Sequence, residues 1–399
     1  MDYAIAATDR DRLARLAEIG RDEFRPAGLR ADRAGAPLSP DDPFFGRMLA
    51  LGFGRSSWRP SDSTAEGAPA AALRAPNKAG SAVAGVLMAE EGAYWDRGIG
   101  VALCGPGLGE SPVLGMGTAE QKERLLTPFL NPQRPIWGAF AMSEPGAGSD
   151  VAGIRTRAVK QGDHWVLNGA KAWSGNALRA EWTVVWATVD PALGRAGHRA
   201  FVVERGTPGF EGHRVEAKMG LKAYESVSFF LNDCRVPAAN LLGGEDYYAA
   251  RAGFKGAMAT FNAGRPAIGA MAVGIGRAAL DEALRFAHDS GLWRRERVRD
   301  RLARSRRQLK SALLLALRAA WLADQRQPNM TEASMAKAAA PLAALEACTL
   351  GMELLGLAGA SGELLIEKLH RDVKALDIVE GTGQIQRIVV ARGLVGLPH

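Results

Sequence analysis

The sequence has only three cysteines, Cys104, Cys234 and Cys348, odd in number and far apart, so neither a disulfide framework nor a thiolate metal motif is expected. Its six histidines are scattered without an i, i+4 pair, which argues against a zinc site. No signal-peptide core is present: the first residues, MDYAIAATDRDRLARL, carry charges throughout. The most apolar run, at 311–317, is cut by Lys310 and Arg318, so no bilayer-spanning segment is expected. Repeats and low-complexity segments are also missing. Nor is charge of one sign concentrated enough to suggest nucleic acid, because the formal +7 is spread along the chain. That modest excess suits an anionic substrate such as a phosphorylated carrier. A cytoplasmic enzyme is the expectation.

What is there is ordinary globular composition: 47% hydrophobic and 23% charged residues in 399, enough for a sizeable core and two or three domains. Element type changes twice along the chain. Residues 1–136 read as helices and loops, with a long buried helix from Ala82 and an amphipathic one opened by a Thr118–Gln121 capping box. From Trp137 the segments HWVLNGAKAW, EWTVVWATV, HRAFVVERG and SVSFFLNDCRV are short, β-branched or aromatic. They read as antiparallel strands of a small barrel or sandwich, with Asn168-Gly169 as a hairpin-turn signal. From 242 to 399 long helices rich in Ala and Gly suggest a closely packed bundle. The expected class is α+β in three domains, at 1–136, 137–241 and 242–399.

Three stretches could carry chemistry. In FAMSEPGAGSD, Phe140 to Asp150, Pro145, Gly146 and Gly148 force a tight turn exposing backbone N–H groups and the hydroxyls of Ser143 and Ser149. Such a turn is either an ordinary surface turn or a binder of a planar polar ligand. In NGAKAWSGNA, Trp173 precedes a polar loop and either fills core or packs on an aromatic cofactor. In DIVEGTGQIQRIVVAR a lone acid, Glu380, sits between an apolar pair and a Gly-Thr-Gly turn. A helix follows, with Thr382 as its N-cap and Ile385, Ile388 and Val389 on one face. Glu380 is either a helix-end acid complementing the dipole or a general base beside a ligand.

In this order and spacing the stretches resemble the acyl-CoA dehydrogenase family, over about residues 80–399. AEQKERLLTPFL, KMGLKAYESVSFFLNDCRVPAANLLGG, GFKGAMATFNAGRPAIGAMAVG and LHRDVKALDIVEGTGQIQR support the match. The resemblance implies an N-terminal helical domain, a central β-barrel and a C-terminal four-helix bundle, usually assembled as a homotetramer or dimer. It implies FAD-dependent α,β-dehydrogenation of an acyl thioester carried by coenzyme A or an acyl carrier protein. Electrons would pass to an electron-transferring flavoprotein or another acceptor. Residue by residue, it implies Glu380 as the base that takes the α proton, with the β hydrogen leaving as hydride to flavin N5. Gly381 would lie beside the thioester, with Thr382, Gln384 and Ile385 against FAD. Phe140, Met142, Ser143, Gly148 and Ser149 would line the flavin, Ser149 also touching the carrier. Trp173 and Ser174 would flank the ring, and Gly175 would offer only backbone near N5. Arg265 and Asn262 would lie on the substrate side. Some relatives keep the base just before this arginine; Gly264 stands there, leaving Glu380 as the candidate. Burial among apolar groups would raise its pKa and make it a better base.

The chain departs from the family pattern at three places. The loop after the first long C-terminal helix lacks its Phe-Gly and holds eight arginines between Arg294 and Arg307. They read as a solvated helix face or as an anion site for FAD pyrophosphate, a carrier phosphate or an acidic partner. Glu353 and Leu357 replace a Gln-x-x-Gly-Gly turn, and the loop near 54–80 lacks its usual motif. In the family the first two places reach a neighbouring subunit's FAD and the third helps shape the acyl pocket, so a hetero-oligomeric subunit with a partial FAD site is the alternative.

Overall fold

The computed structural model describes residues 3–60, 81–249 and 253–397, with backbone alone over 253–263. The N-terminal helices are α1 (Ala7–Ile19), α2 (Arg25–Ala34), α3 (Pro43–Ala50), α4 (Ala82–Ala102), α5 (Glu110–Met116) and α6 (Ala119–Leu126). The Thr118–Gln121 capping box forms as expected. The long helix α4 is kinked: Asp96 leaves helical geometry at φ −165°, ψ 112°. Its Oδ1 accepts from Ile99 N at 2.9 Å and so caps a second short helix. The buried Lys368 holds the other carboxylate oxygen at 2.7 Å.

Seven strands follow: β1 (Gly138–Ala141), β2 (Arg157–Gln161), β3 (His164–Gly175), β4 (Trp182–Thr188), β5 (His198–Glu204), β6 (Phe210–Val215) and β7 (Ser226–Pro237). They form one curled sheet in the order β1-β4-β2-β3-β7-β6, with β5 on β4. The sheet is mixed rather than wholly antiparallel, because β1 runs parallel to β4, Phe140 facing Val184. Asn168-Gly169 is not a hairpin turn. It lies inside β3 at an irregularity opposite Leu231–Cys234. Asn168 and Asp233 clasp each other there at 3.0 and 2.8 Å, and a Cβ on Gly169 would meet Thr156 Oγ1 at 2.5 Å. Crowding against Thr156 thus requires this glycine, whereas the β2–β3 reversal falls at Gly162-Asp163, with Gly162 at φ +61°.

The C-terminal helices are α7 (Gly244–Ala249), α8 (Gly253–Asp289), α9 (Glu296–Asp324), α10 (Met330–Gly359), α11 (Leu365–Ile378) and α12 (Gly383–Leu394). One core joins the early helices to the sheet through Phe44, Phe45, Trp137, Trp186 and Phe229. A second joins α8 to α11 and takes Val83, Val86 and Ala93 from α4. Close helix approach is real: a Cβ on Gly274 would sit 2.1 Å from Glu90 O. By length and composition alone α10 could cross a membrane, contrary to the expectation from the most apolar run. Here it is a core helix, with Ala333, Ala336, Ala340, Ala344 and Ala347 fully buried on one face. On α12 the expected apolar face does not decide burial: Ile388 is 51% exposed while Gln386 is fully buried.

Candidate active site

Two halves build the site. The sheet half begins where β1 ends. Glu144 and Ala147 exchange backbone hydrogen bonds at 3.0 and 3.1 Å, closing a tight turn over Pro145-Gly146. Gly148 and Ser149 are left exposed beyond it, Met142 is buried, and Phe140 is partly buried against the sheet core. Ser143 O accepts from Ala172 N at 3.0 Å, which lays the turn against the end of β3.

Beneath the turn lies an ion pair that sequence reasoning did not single out. Lys171, fully buried, donates to Glu144 Oε1 at 2.8 Å and Met142 O at 3.0 Å. Glu144 also accepts from the backbone N–H groups of Arg155 and Thr156, at 2.6 and 2.9 Å. Burial pushes the Lys171 ammonium down to about 8, with Glu144 acting against it. Burial alone would raise the Glu144 carboxyl; Lys171 and the Arg155 N–H outweigh it and hold it below the ordinary range.

Just past Lys171 the β3–β7 register slips, and Trp173 takes φ +62°. This bulge turns the indole outward, 63% exposed. Ser174 is buried next to it, and its hydroxyl has no hydrogen-bond partner among the described residues. An orphaned buried hydroxyl costs about 1–3 kcal/mol and is ready for a ligand's polar atom. An exposed aromatic face, a buried hydroxyl without a partner and an open Gly148–Ser149 turn together fit a planar, polar, aromatic group such as the flavin.

The helix half is the turn between α11 and α12. Glu380 adopts φ +54° and Gly381 φ +96°, an uncommon geometry for a glutamate. Thr382 caps α12 as expected, its Oγ1 accepting from Ile385 N at 3.4 Å. Ile385 is half-buried and Gln384 exposed. The carboxylate rests on α8: a Cβ on Gly264 would stand 2.3 Å from Glu380 Oε2. Positions 264 and 380, far apart in the sequence, are therefore neighbours in space. Arg265 follows on the same helix, buried, its guanidinium 3.5 Å from Ser334 Oγ. The side chain of Asn262 lies outside the described residues.

The surroundings of Glu380 are not the apolar shell that was expected. Burial lowers the pKa of Arg97, Arg265 and Lys337, and in each case the Glu380 charge acts in the opposite direction. Three cations thus face the carboxylate. Arg97 and Lys337 carried no sequence signal: one sits after a helix kink, the other within an alanine-rich helix.

The halves converge at Tyr224, on the loop before β7. A Cβ on Gly175 would lie 3.7 Å from its ring and 3.9 Å from Val101, and both Tyr224 and Glu380 act on Arg97. The same loop is tied to α11 by Leu221 N, which donates to Asp372 Oδ1 at 2.5 Å.

Elsewhere, seven of the arginines between Arg294 and Arg307 are exposed, and Arg299 folds back onto the carbonyls of Trp293 and Arg294. Arg301 pairs with Glu353, so two of the divergent segments bind each other, while Leu357 is 93% exposed. The divergent loop at 54–80 lies largely outside the described residues.

Comparison with known proteins gives consistent matches. Family models described as the acyl-CoA dehydrogenase middle domain and C-terminal domain match residues 139–234 and 251–395. The mitochondrial short-chain specific acyl-CoA dehydrogenase of Mus musculus is 39% identical over 289 residues, spanning 71% of this chain and 68% of that protein. The structure of butyryl-CoA dehydrogenase from Megasphaera elsdenii superposes with a TM-score of 0.84 at 29% identity, covering 99% of this chain and 100% of that one. A glutaryl-coenzyme A dehydrogenase solved with glutaryl-CoA gives 0.85 at 26% identity, over 100% and 98%.

Proposed function

Because the chain belongs to the acyl-CoA dehydrogenase family, we propose that it carries out FAD-dependent α,β-dehydrogenation of an acyl-CoA thioester with Glu380 as the base. The observation that carries the assignment of the base is the contact between Glu380 and Gly264, which leaves one carboxylate at that point on α8.

Bound FAD supplies the acceptor for the β hydrogen. The Trp173 face, the Ser174 hydroxyl and the Gly148–Ser149 turn would hold it, together with Met142, Phe140 and, at the start of α12, Thr382, Gln384 and Ile385. Glu380 takes the α proton onto its carboxylate. An α C–H beside a thioester is a weak acid, so the base must be held in place and the carbonyl polarised as charge develops on it. Arg265, Arg97 and Lys337 place positive charge near the carboxylate. Gly381 leaves clearance for the thioester. An external acceptor such as an electron-transferring flavoprotein would take the electrons.

The test is the visible spectrum of the purified protein titrated anaerobically with a panel of acyl-CoA thioesters. A flavin spectrum that bleaches on at least one of them is expected. A protein that takes up no flavin, or whose flavin no thioester bleaches, would overturn the reading.

Gly264→Ala separates base placement from stability. The added methyl collides with the far end of a flexible side chain, which swings aside at little cost to the fold. Turnover is expected to fall about 10- to 100-fold, the scale of a small misplacement of a reacting group, while FAD content and thermal stability hold. Wild-type turnover in this variant would show that the Glu380 carboxylate works from elsewhere.

A further inference from the structure

The turn that carries Glu380 is held in a conformation that a glutamate seldom takes, with φ +54° there and +96° at Gly381. Such geometry persists where the surroundings enforce it. Two fully buried side chains from different helices do so. Lys337, on α10, donates from Nζ to Gly381 O at 3.2 Å. Gln386, on α12, donates from Nε2 to the same oxygen at 3.2 Å and to Glu380 O at 3.4 Å.

Lys337 is an odd residue to bury. An ammonium out of water is costly unless paired, and the hydrogen bond that Lys337 makes is to a backbone carbonyl. The groups that face it are Asp377 on α11, Glu380 in the turn and Arg265 on α8. Burial pushes its pKa down to about 8; Asp377 and Glu380 pull upward, and Arg265 pushes further down. The charge is therefore present at neutral pH and is lost on moderate alkalinisation.

We propose that Lys337 is a positioning residue for the dehydrogenation: its ammonium grips the Gly381 carbonyl and so holds the Glu380 carboxylate over Gly264. This rests on the reading of Glu380 as the base. The contact that Lys337 makes is to the backbone of the turn, so its assigned action runs through Gly381 O rather than through the reacting atoms. Gln386 gives the grip a neutral second point, so removing Lys337 loosens the turn without releasing it.

The test is anaerobic single-turnover flavin reduction by an acyl-CoA thioester bleached by the wild type, followed from pH 6 to pH 9, in the wild type, Lys337→Met and Lys337→Gln. FAD content and thioester binding are measured alongside. Lys337→Met is expected to keep FAD and thioester affinity but reduce about 10- to 100-fold more slowly, the cost of a small misplacement of the base. The wild-type rate is expected to decline as pH rises through about 8, where the ammonium is lost, and the variant is expected to lack that limb. Lys337→Gln, which keeps an N–H donor without the charge, is expected to fall between the two and also to lack the limb.

Wild-type rates in either variant, or a limb near pH 8 that survives in both, overturn the proposal. If Lys337→Met does not fold, Lys337→Gln alone decides by the same two readouts. Glu380→Gln run in parallel separates the two readings: full activity there removes the base assignment itself. An inactive Glu380→Gln beside a wild-type-like Lys337→Met removes only the positioning role.

Discussion

Glu380→Gln is expected to leave the protein folded and flavin-bound, and to slow flavin reduction by acyl-CoA about 10²- to 10⁴-fold. Glutamine has nearly the shape of glutamate, so it still fits the space over Gly264, where a Cβ would approach Oε2 to 2.3 Å. The hydrogen bonds that hold the turn use backbone carbonyls: Lys337 and Gln386 bond to Gly381 O and Glu380 O. Removing the charge therefore leaves the fixture intact. What is lost is the carboxylate assigned to accept the α proton, and Gly264, which it rests on, offers no side chain to replace it. Anaerobic stopped-flow reduction checks this, with FAD content and thermal unfolding as controls. A variant that loses FAD in proportion to rate would assign Glu380 a structural role instead.

Lys171→Met carries the largest expected effect on stability. Lys171 is wholly enclosed, 2.8 Å from Glu144, and Glu144 is itself 8% exposed. Removing the cation leaves a buried carboxylate with two backbone N–H groups as its remaining partners. Breaking a buried pair from one side costs about 3–5 kcal/mol, a large share of the stability of any domain. The turn over Pro145-Gly146 and the adjoining exit of β3 rest on this pair, so FAD occupancy should fall with stability. Denaturant unfolding and flavin content measure both. Adding Glu144→Gln removes the stranded charge and should recover a good part of the loss. A single variant within about 1 kcal/mol of wild type would mean that the pair contributes no more than an exposed one.

The same pair sets an acid limit. Glu144 is held below the ordinary carboxylate range, because Lys171 and the Arg155 N–H outweigh its burial. A depressed carboxyl stabilises the fold above its unfolded pKa and loses that contribution as pH falls through the folded one. Glu144→Gln should therefore flatten the decline of stability on acidification below about pH 4.5, the ordinary value.

Much of this was legible because some residues announce their geometry. Thr118 with Gln121, and Thr382 before a helical repeat, advertise helix starts, and both caps form. The order of Phe140–Asp150, Trp173 and Glu380 marks the family in the sequence itself. Other features share their local pattern with something blander. Asn168-Gly169 has the composition of a hairpin turn, but the glycine answers to Thr156 across the sheet, a constraint invisible along the chain. Lys337 sits in SMAKAAAPL, where a lysine reads as a solvated surface residue; burial is decided by what packs on α10. Gln386 carries no signal along the chain, where the helical pattern points to Ile385, Ile388 and Val389. Glu144 lay inside the quoted turn, yet its partner is 27 residues away on another strand. Asp96 reads as an ordinary helical position, and only Lys368 and the N–H of Ile99 explain why α4 breaks there.

The central claim is that the Glu380 carboxylate removes the α proton. Its most direct measurement is exchange of the α hydrogens of a bound acyl-CoA with solvent deuterium, followed by mass spectrometry in wild type and Glu380→Gln, both loaded with FAD and equally occupied by ligand. The expected result is ready exchange in the wild type and none above the uncatalysed background in the variant. Exchange at the wild-type rate in Glu380→Gln would contradict the claim and place the base elsewhere.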